Sequence, residues 1–293
     1  MQLGETYIDD TFAEAFGMRF SRVIVTAHDA YWLDAAIREV TGYSSSVIAC
    51  DAESGVDRLL GSDTPDGRPG AALLFFGFST DALGTALGNR VGQCIMTCPS
   101  TAVYDGLPEG TERVPLGKSI RFFGDGFQKS KQVAGKRYWR VPVMDGEFLI
   151  AESAGVAKGV AGGNIILQAV DMTTGLAAAR RGSEAVAAHA GAIAPFPGGV
   201  ARSGSKVGSI YKKLKASTAD AFCPSLRGRV TSKLHEGANC AYEIVIDGVD
   251  EKTVGSAMKA ALHAAAGPGV VCISAGNYGG KLGKFQFKLR ELV

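Results

Sequence analysis

The chain has 293 residues, 46% of them hydrophobic and 20% charged, a composition that buries a sizeable core and excludes a disordered chain. It carries 31 basic and 29 acidic residues for a formal net charge of +2, and no Lys/Arg block is dense enough to make a nucleic-acid footprint. The longest apolar stretch, Gly70 to Phe78, is far too short to span a bilayer. Met1 to Asp10 holds three acidic residues and no apolar core of a signal peptide, so a cytoplasmic location is the expectation. Six scattered cysteines, none in a CxxC pair, read as reduced residues rather than a disulfide framework.

Taken in chain order, Arg22 to Ala27 is a short β-branched run, and Asp29 to Thr41 has helical spacing with Trp32, Ala36, Ile37 and Val40 on one face, stopped by Gly42. Ser46 to Cys50 reads as a second strand, Gly61 to Gly70 as a turn-rich connection, Ala71 to Phe78 as a third strand and Thr80 to Val91 as a second helix. A further strand is expected around Gln93 to Thr97. This is the β-α-β-β-α-β order of a ferredoxin-like sandwich. Gly124 to Gly135 reads as exposed loop and hairpin. In the second half, Glu147 to Ala151 and Asn164 to Val170 read as strands, Met172 to Ala190 as an Ala-rich helix, and Ile193 to Pro195 as the start of an extended piece. Tyr242 to Ile246, Val270 to Ser274 and Phe285 to Leu289 follow as strands, with a helix over Glu251 to Ala266. The expectation is an α/β (α+β) protein of two ferredoxin-like lobes with antiparallel or mixed sheets, residues 1–146 and 147–293.

Several familiar chemistries are disfavoured. Gly199 to Lys206 (GVARSGSK) approaches a phosphate-binding loop, but its Lys does not directly follow the second Gly. In Gly276 to Gly283 (GNYGGKLG), Leu282 stands where a magnesium-binding hydroxyl belongs. No GxGxxG follows a first strand and no GxSxG occurs. The four histidines are far apart in sequence and make no HExxH, so no metal site is expected. What stands out is a set of loops combining Gly, a carboxylate and an aromatic: Asp9 to Phe16, Phe122 to Phe127, Gly146 to Phe148, Gly159 to Asn164, Pro195 to Ser209, Ala216 to Pro224 and Ser274 to Gly283. Each alone is more often a structural turn. Together they suit one small-molecule cleft, with backbone N–H groups for polar contacts and aromatics for flat rings.

The strings DTFAEAF, TPDGRPG (Thr64 to Gly70), FFGDG (Phe122 to Gly126), GVAGGN, APFPGG (Ala194 to Gly199), SKVGS (Ser205 to Ser209), YEIVI and ISAGNYGGKLG stand in order along nearly the whole chain. Together they resemble the formylmethanofuran:tetrahydromethanopterin formyltransferases. The resemblance implies a two-lobed α/β fold, a homotetramer, and two diffusible carriers, methanofuran and tetrahydromethanopterin, as substrates, with no tightly bound cofactor or metal. The sequence pI of about 8.2 departs from the acidic archaeal members and leans toward the bacterial, methylotroph type. There the resemblance implies a dephosphorylated pterin and a place beside formylmethanofuran-hydrolysing subunits. No nucleic-acid or membrane partner is expected.

Such a reaction exchanges one N-formyl bond for another, so its equilibrium lies near balance. It needs a hydrogen-bond donor for the tetrahedral oxyanion, a proton relay from pterin N5 to the leaving amine, and exclusion of water. On the resemblance, Glu243 inside YEIVI is the expected catalytic acid, since a carboxyl on an apolar strand has a raised pKa. Asp125 is a second catalytic candidate. Asp10, Glu14, Phe123, Gly198, Gly199, Arg202, Ser205, Lys206, Gly279 and Gly280 are the expected substrate-binding positions, with Arg202, Ser205 and Lys206 for carrier carboxylates or backbone. No activated nucleophile is evident, which favours direct transfer in a ternary complex. The alternatives are a non-catalytic carrier-binding subunit of a larger formyltransferase/hydrolase complex and a nucleotide-dependent ligase, the latter lacking a phosphate loop.

Overall fold

The structure, a computed structural model, describes residues 1–107 and 112–293. Short strands β1 (Gln2–Leu3) and β2 (Thr6–Ile8) lead into β3 (Phe12–Thr26), followed by α1 (Ala30–Thr41), β4 (Glu53–Gly61), β5 (Gly70–Gly77), α2 (Thr80–Arg90) and β6 (Ala102–Asp105). Next come β7 (Glu112–Pro115), α3 (Gly117–Ile120), β8 (Lys129–Val133), β9 (Lys136–Val143), β10 (Gly146–Ala151) and the long β11 (Ser153–Ala169). The chain ends through α4 (Met172–Ala187), β12 (Ala192–Ile193), β13 (Lys206–Val207), β14 (Ala216–Ser217), β15 (Cys240–Gly248), α5 (Glu251–Ala265), β16 (Val270–Ser274), β17 (Phe285–Lys288) and α6 (Leu289–Leu292). Among the described residues no helix is long and apolar enough to cross a membrane.

The long helices start where the sequence provides caps. The side chains of Asp29, Ser79, Asp171 and Asp250 accept the first free N–H groups of α1, α2, α4 and α5, each cap contributing about 1 kcal/mol. The Ala-rich composition of α4 also has a packing reason. A Cβ added at Gly182 would lie 2.6 Å from Ile244 Cδ1, and one at Gly175 would lie 2.8 Å from Cys240 Sγ. Small residues therefore let α4 lie directly on β15.

The described chain divides into two compact units. One takes Met18–Val47 and the described part of Asp51–Lys158; the other takes Met1–Gly17, Ile48–Cys50 and Gly159–Val293. In the first, the sheet order is β4-β5-β3-β6, antiparallel throughout, with β10 added in parallel to β6 and the β9–β8 hairpin beyond it. In the second, the order is β12-β15-β11-β16, again antiparallel, with β2 added in parallel to β16. Both are the same β-α-β-β-α-β arrangement, so the expected pair of ferredoxin-like lobes is what the chain forms. Each has its own core, the first built on Val23, Leu33, Phe75 and Leu83, the second on Ile165, Ile244, Met258 and Leu262. The compact units divide the chain differently from a single cut at Gly146/Glu147. Phe12 to Ala15 pairs with β17, and β2 with β16, which holds the first residues in the C-terminal unit.

Two expected strands form elsewhere. Ser46 to Cys50 is turn and bend, because Glu53 Oε1 accepts the Val47 N–H at 2.7 Å and folds the segment back; the pairing strand is β4. Gln93 to Thr97 continues the helix as a π turn over Val91–Ile95. Leu83, Leu87, Val91 and Ile95 recur every four residues and all are buried, so this apolar run prolongs the helix stripe, and the strand is β6.

Candidate active site

The site is built on β15 in the C-terminal unit. Side chains alternate across a strand: Ile244 and Ile246 enter the core, which puts Glu243 on the opposite face. Its backbone is paired on both sides, with Ile166 of β11 and with Ala201, whose N–H and C=O bond the Glu243 main chain at 2.8 and 2.9 Å. Glu243 is only 3% exposed. Its Oε1 accepts the Ser205 hydroxyl at 2.7 Å, while Oε2 is buried with no hydrogen-bond partner. Burial pushes the carboxyl up, and the Ser205 bonds pull only part of the way back.

Glu243 lines a cavity of about 290 Å³, together with Ile166, Ser205, Lys206, Lys233, Phe222 and the segment Ala275 to Tyr278. Three loops close around it. Asn164, at the end of the GVAGGN string, clamps Gly276 from both sides: its Oδ1 accepts the Gly276 N–H at 2.6 Å and its Nδ2 donates to the Gly276 carbonyl at 3.2 Å. A Cβ at Gly276 would sit 3.3 Å from Asn164 Oδ1 and 3.7 Å from Glu243 Oε1, so glycine suits this close approach. Tyr278 donates its hydroxyl to the Ser205 carbonyl at 2.9 Å and ties the second loop to the first. Lys206 Nζ donates to Asp220 Oδ1 at 2.7 Å and ties in the third.

Glu14 organises the Gly-rich loop from beneath. Its carboxylate, 1% exposed, accepts the N–H groups of Tyr278 and Gly280 on Oε2, both at 2.8 Å, and of Leu282 and Gly283 on Oε1, at 2.6 and 2.5 Å. Burial alone would raise its pKa, but the four backbone donors outweigh it and hold Glu14 below the usual carboxylate range.

Two glutamates of one lobe are thus pushed in opposite directions, one toward the neutral acid and one toward the anion. A protonated carboxyl at a cavity wall can donate a hydrogen bond to a carbonyl that is gaining negative charge. The family model described as formylmethanofuran-tetrahydromethanopterin formyltransferase matches residues 1–143, and the model of its proximal lobe matches residues 146–292.

The chain belongs to this formyltransferase family. It is 52% identical to a formylmethanofuran–tetrahydromethanopterin formyltransferase from Methylobacillus flagellatus, over 98% of this chain and 97% of the relative. Its structure is similar to that of the Methanosarcina barkeri formyltransferase, with a TM-score of 0.93, 44% identity and full coverage of both chains. It is also similar to a chain of the formyltransferase/hydrolase complex from Methylorubrum extorquens solved with methylofuran, with a TM-score of 0.95 and 46% identity over 100% of this chain and 98% of that one.

Against this formyltransferase framework the expected site residues separate. Glu243, Ser205 and Lys206 come together at the cavity. Gly279 and Gly280 have positive φ, but their N–H groups are turned inward, to Asn277 Oδ1 and Glu14. The Gly199 N–H bonds Phe196, and the Gly198 carbonyl accepts from Ser183 of α4; neither lines the cavity. Arg202 is exposed next to Ala201. Asp10 is exposed and pairs with Arg290 at 3.1 Å. Asp125 sits in left-handed backbone after Arg121–Gly124, and Phe123 is exposed beside it; both belong to the N-terminal unit and neither is among the cavity-lining residues. Asn164, Tyr278 and Lys233 were not singled out from sequence. The first two lie inside recognised strings; no sequence signal marks Lys233.

Proposed function

We propose that this chain moves a formyl group between formylmethanofuran and N5 of tetrahydromethanopterin, or its dephosphorylated form, by direct transfer in a ternary complex. The observation that carries the mechanism is the half-satisfied, buried carboxyl of Glu243. Because Ser205 donates to Oε1, the proton of the neutral acid resides on Oε2, the oxygen with no other partner. From there it hydrogen-bonds the formyl oxygen. N5 attacks the formyl carbon and forms the new C–N bond; the carbonyl electron pair moves to oxygen and is stabilised by Glu243. Collapse restores the carbonyl and breaks the bond to the methanofuran amine; Glu243 gives its own proton to that leaving amine and takes the proton released by N5 in its place, ending neutral as it began. Holding the reacting ends of both carriers against Glu243 supplies much of the remaining acceleration.

Ser205 is not the nucleophile in this scheme. Its hydroxyl hydrogen is engaged by a group that is itself neutral, so nothing activates it. The carriers act as substrates rather than resident cofactors. In the same reading the chain is a cytoplasmic homotetramer, and its basic pI of about 8.2 supports the methylotroph type that works beside formylmethanofuran-hydrolysing subunits. The test is a spectroscopic transfer assay with the isolated chain, formylmethanofuran and the reduced pterin. Turnover by the chain alone is expected. Carrier binding without turnover would make it the non-catalytic subunit of a larger complex.

A further inference from the structure

Away from the cavity lining, three metal-ligating side chains from distant parts of the sequence converge in the C-terminal unit. Asp9 Oδ1 and His235 Nε2 are 2.9 Å apart, and a carboxylate oxygen of Asp9, a ring nitrogen of His235 and the Cys272 sulfur all lie within 4.8 Å of one another. Linear spacing conceals the cluster, since Asp9 and His235 are 226 positions apart. We propose that Asp9, His235 and Cys272 form a binding site for a thiophilic divalent cation of the zinc type, with a solvent molecule as fourth ligand.

The donors sit on well-held backbone. Cys272 lies inside β16 in register with Tyr7 of the parallel β2, and the Asp9 N–H donates to Ile273 at 3.0 Å. His235 is fixed by Gln168, which is fully buried: Gln168 Oε1 accepts the His235 N–H at 2.8 Å, and its Nε2 donates to the Lys233 carbonyl at 3.2 Å. The Tyr7 ring packs on the imidazole, with centroids 5.3 Å apart. Bonds of roughly 2.0–2.3 Å in a tetrahedral site set the donors about 3.3–3.8 Å apart, so Asp9 and His235, at 2.9 Å, separate slightly to share a cation. One sulfur, one imidazole nitrogen and one carboxylate oxygen is a donor set for zinc or cobalt rather than magnesium or calcium. Cys272 is wholly buried while His235 and Asp9 are partly exposed, which leaves one face open for the fourth ligand and an entry path.

The competing reading, a Cys–His–Asp nucleophilic relay, fits less well. The imidazole Nε2 is engaged by Asp9 Oδ1 and the thiol is wholly buried, so that nitrogen is not turned to the sulfur as a base and the sulfur is closed to a substrate. A cation would displace the thiol proton to solvent as the metal–sulfur bond forms. It would also pin His235, and with it Lys233, which lines the carrier cavity two residues away.

The test is to strip the full-length chain with a chelator and titrate cobalt(II), whose bond to a thiolate gives a charge-transfer absorption, with zinc as competitor. The expected result is one equivalent bound with that absorption, displaced by zinc, and a higher melting temperature with zinc. Loss of even a supporting group weakens metal sites by about 10–100-fold, so Cys272→Ser and His235→Gln should each weaken binding by about a hundredfold or more and remove the zinc-dependent rise. His235→Gln changes a partly exposed side chain and keeps the test valid if the buried serine variant fails to fold. Cys240→Ser should bind as the parent does. No thiolate absorption, or the same absorption in His235→Gln, would overturn the proposal.

Discussion

The third strand of each lobe occupies the same place in the same topology, yet the two strands differ in kind. In the N-terminal lobe it is β5, Gly70–Gly77, buried at every position, with Leu73 and Phe75 in the helix-side core and Leu74 and Phe76 on the other face. In the C-terminal lobe it is β15, where Ile244 and Ile246 fill the core positions and Glu243 stands on the other face. One face is sealed by hydrocarbon, with Phe76 stacked on Phe20 at 5.7 Å. Its counterpart carries a buried acid against a cavity. The topology supplies a rigid strand in both; a single ionisable side chain turns one of them into a site. The C-terminal lobe has to bury that acid and also support the loops around it, and it uses Glu14 for the second task.

The largest effect is expected at Glu14. Removing its carboxylate strands four buried backbone donors, and bonds to a charged group contribute about 1.5–3 kcal/mol each when measured singly. Because the loop can relax and admit water, Glu14→Ala should lower unfolding free energy by about 3 kcal/mol, read by denaturant titration, and should abolish ordered carrier binding. A variant as stable as the parent would mean the loop is held by other contacts. The pH signature follows from the depressed pKa. Glu14 binds fewer protons folded than unfolded, so its stabilisation is present above the unfolded carboxylate pKa of about 4.3 and is lost as pH falls through the folded value.

Glu243 should show the reverse. Its raised pKa means the folded state holds the proton, so its contribution is full below about pH 4.3 and is lost as pH rises through the folded value. Turnover should fall over that same higher range, because the neutral acid is the working form. Glu243→Gln should lower kcat by roughly a hundredfold, the scale of general acid–base help, while stability at neutral pH is kept or increased. The high-pH loss of stability should disappear with the carboxyl. Full activity in this variant, or an unchanged stability–pH curve, would place the proton chemistry elsewhere.

Much of this contrast was readable in the sequence, and the part that was not has a physical cause. The helices were legible because their signals are local: Trp32, Ala36, Ile37 and Val40 repeat at helical spacing, and Met172 to Ala190 is Ala-rich. Ser46 to Cys50 and Gln93 to Thr97 misled because short apolar runs fit a strand or a helix equally well, and the decision rested on a contact with Glu53 and on packing four residues apart. Glu243 was legible through the family strings and through an acid in an apolar strand. The glycines are read differently once the chain is folded. Their abundance correctly signalled close approach, but Gly279 and Gly280 approach Glu14 and Asn277 of the protein itself. No local pattern discloses which acceptor, ligand or side chain, a backbone N–H will meet. Lys233 was missed on similar grounds, since it reaches the cavity only through a loop fixed by Gln168.

The smallest effect is expected at Lys206, and it separates scaffold from substrate contact at the cavity rim. Lys206 and Asp220 form an ion pair with side chains 43% and 37% exposed, and such exposed pairs contribute less than about 1 kcal/mol to stability. Lys206→Ala should therefore leave the melting temperature nearly unchanged. A carrier bearing carboxylates would lose a charged partner equally in the ground and transition states, so KM should rise about fivefold with kcat little altered. Asp220→Asn distinguishes the two uses of the lysine. If Lys206 serves the carrier, freeing it from Asp220 lowers KM; if it serves only to join the loops, Asp220→Asn raises KM as Lys206→Ala does. Saturation curves unchanged in both variants would return Lys206 to the solvated surface and leave carrier binding to groups deeper in the cavity, with Lys233 the first to test.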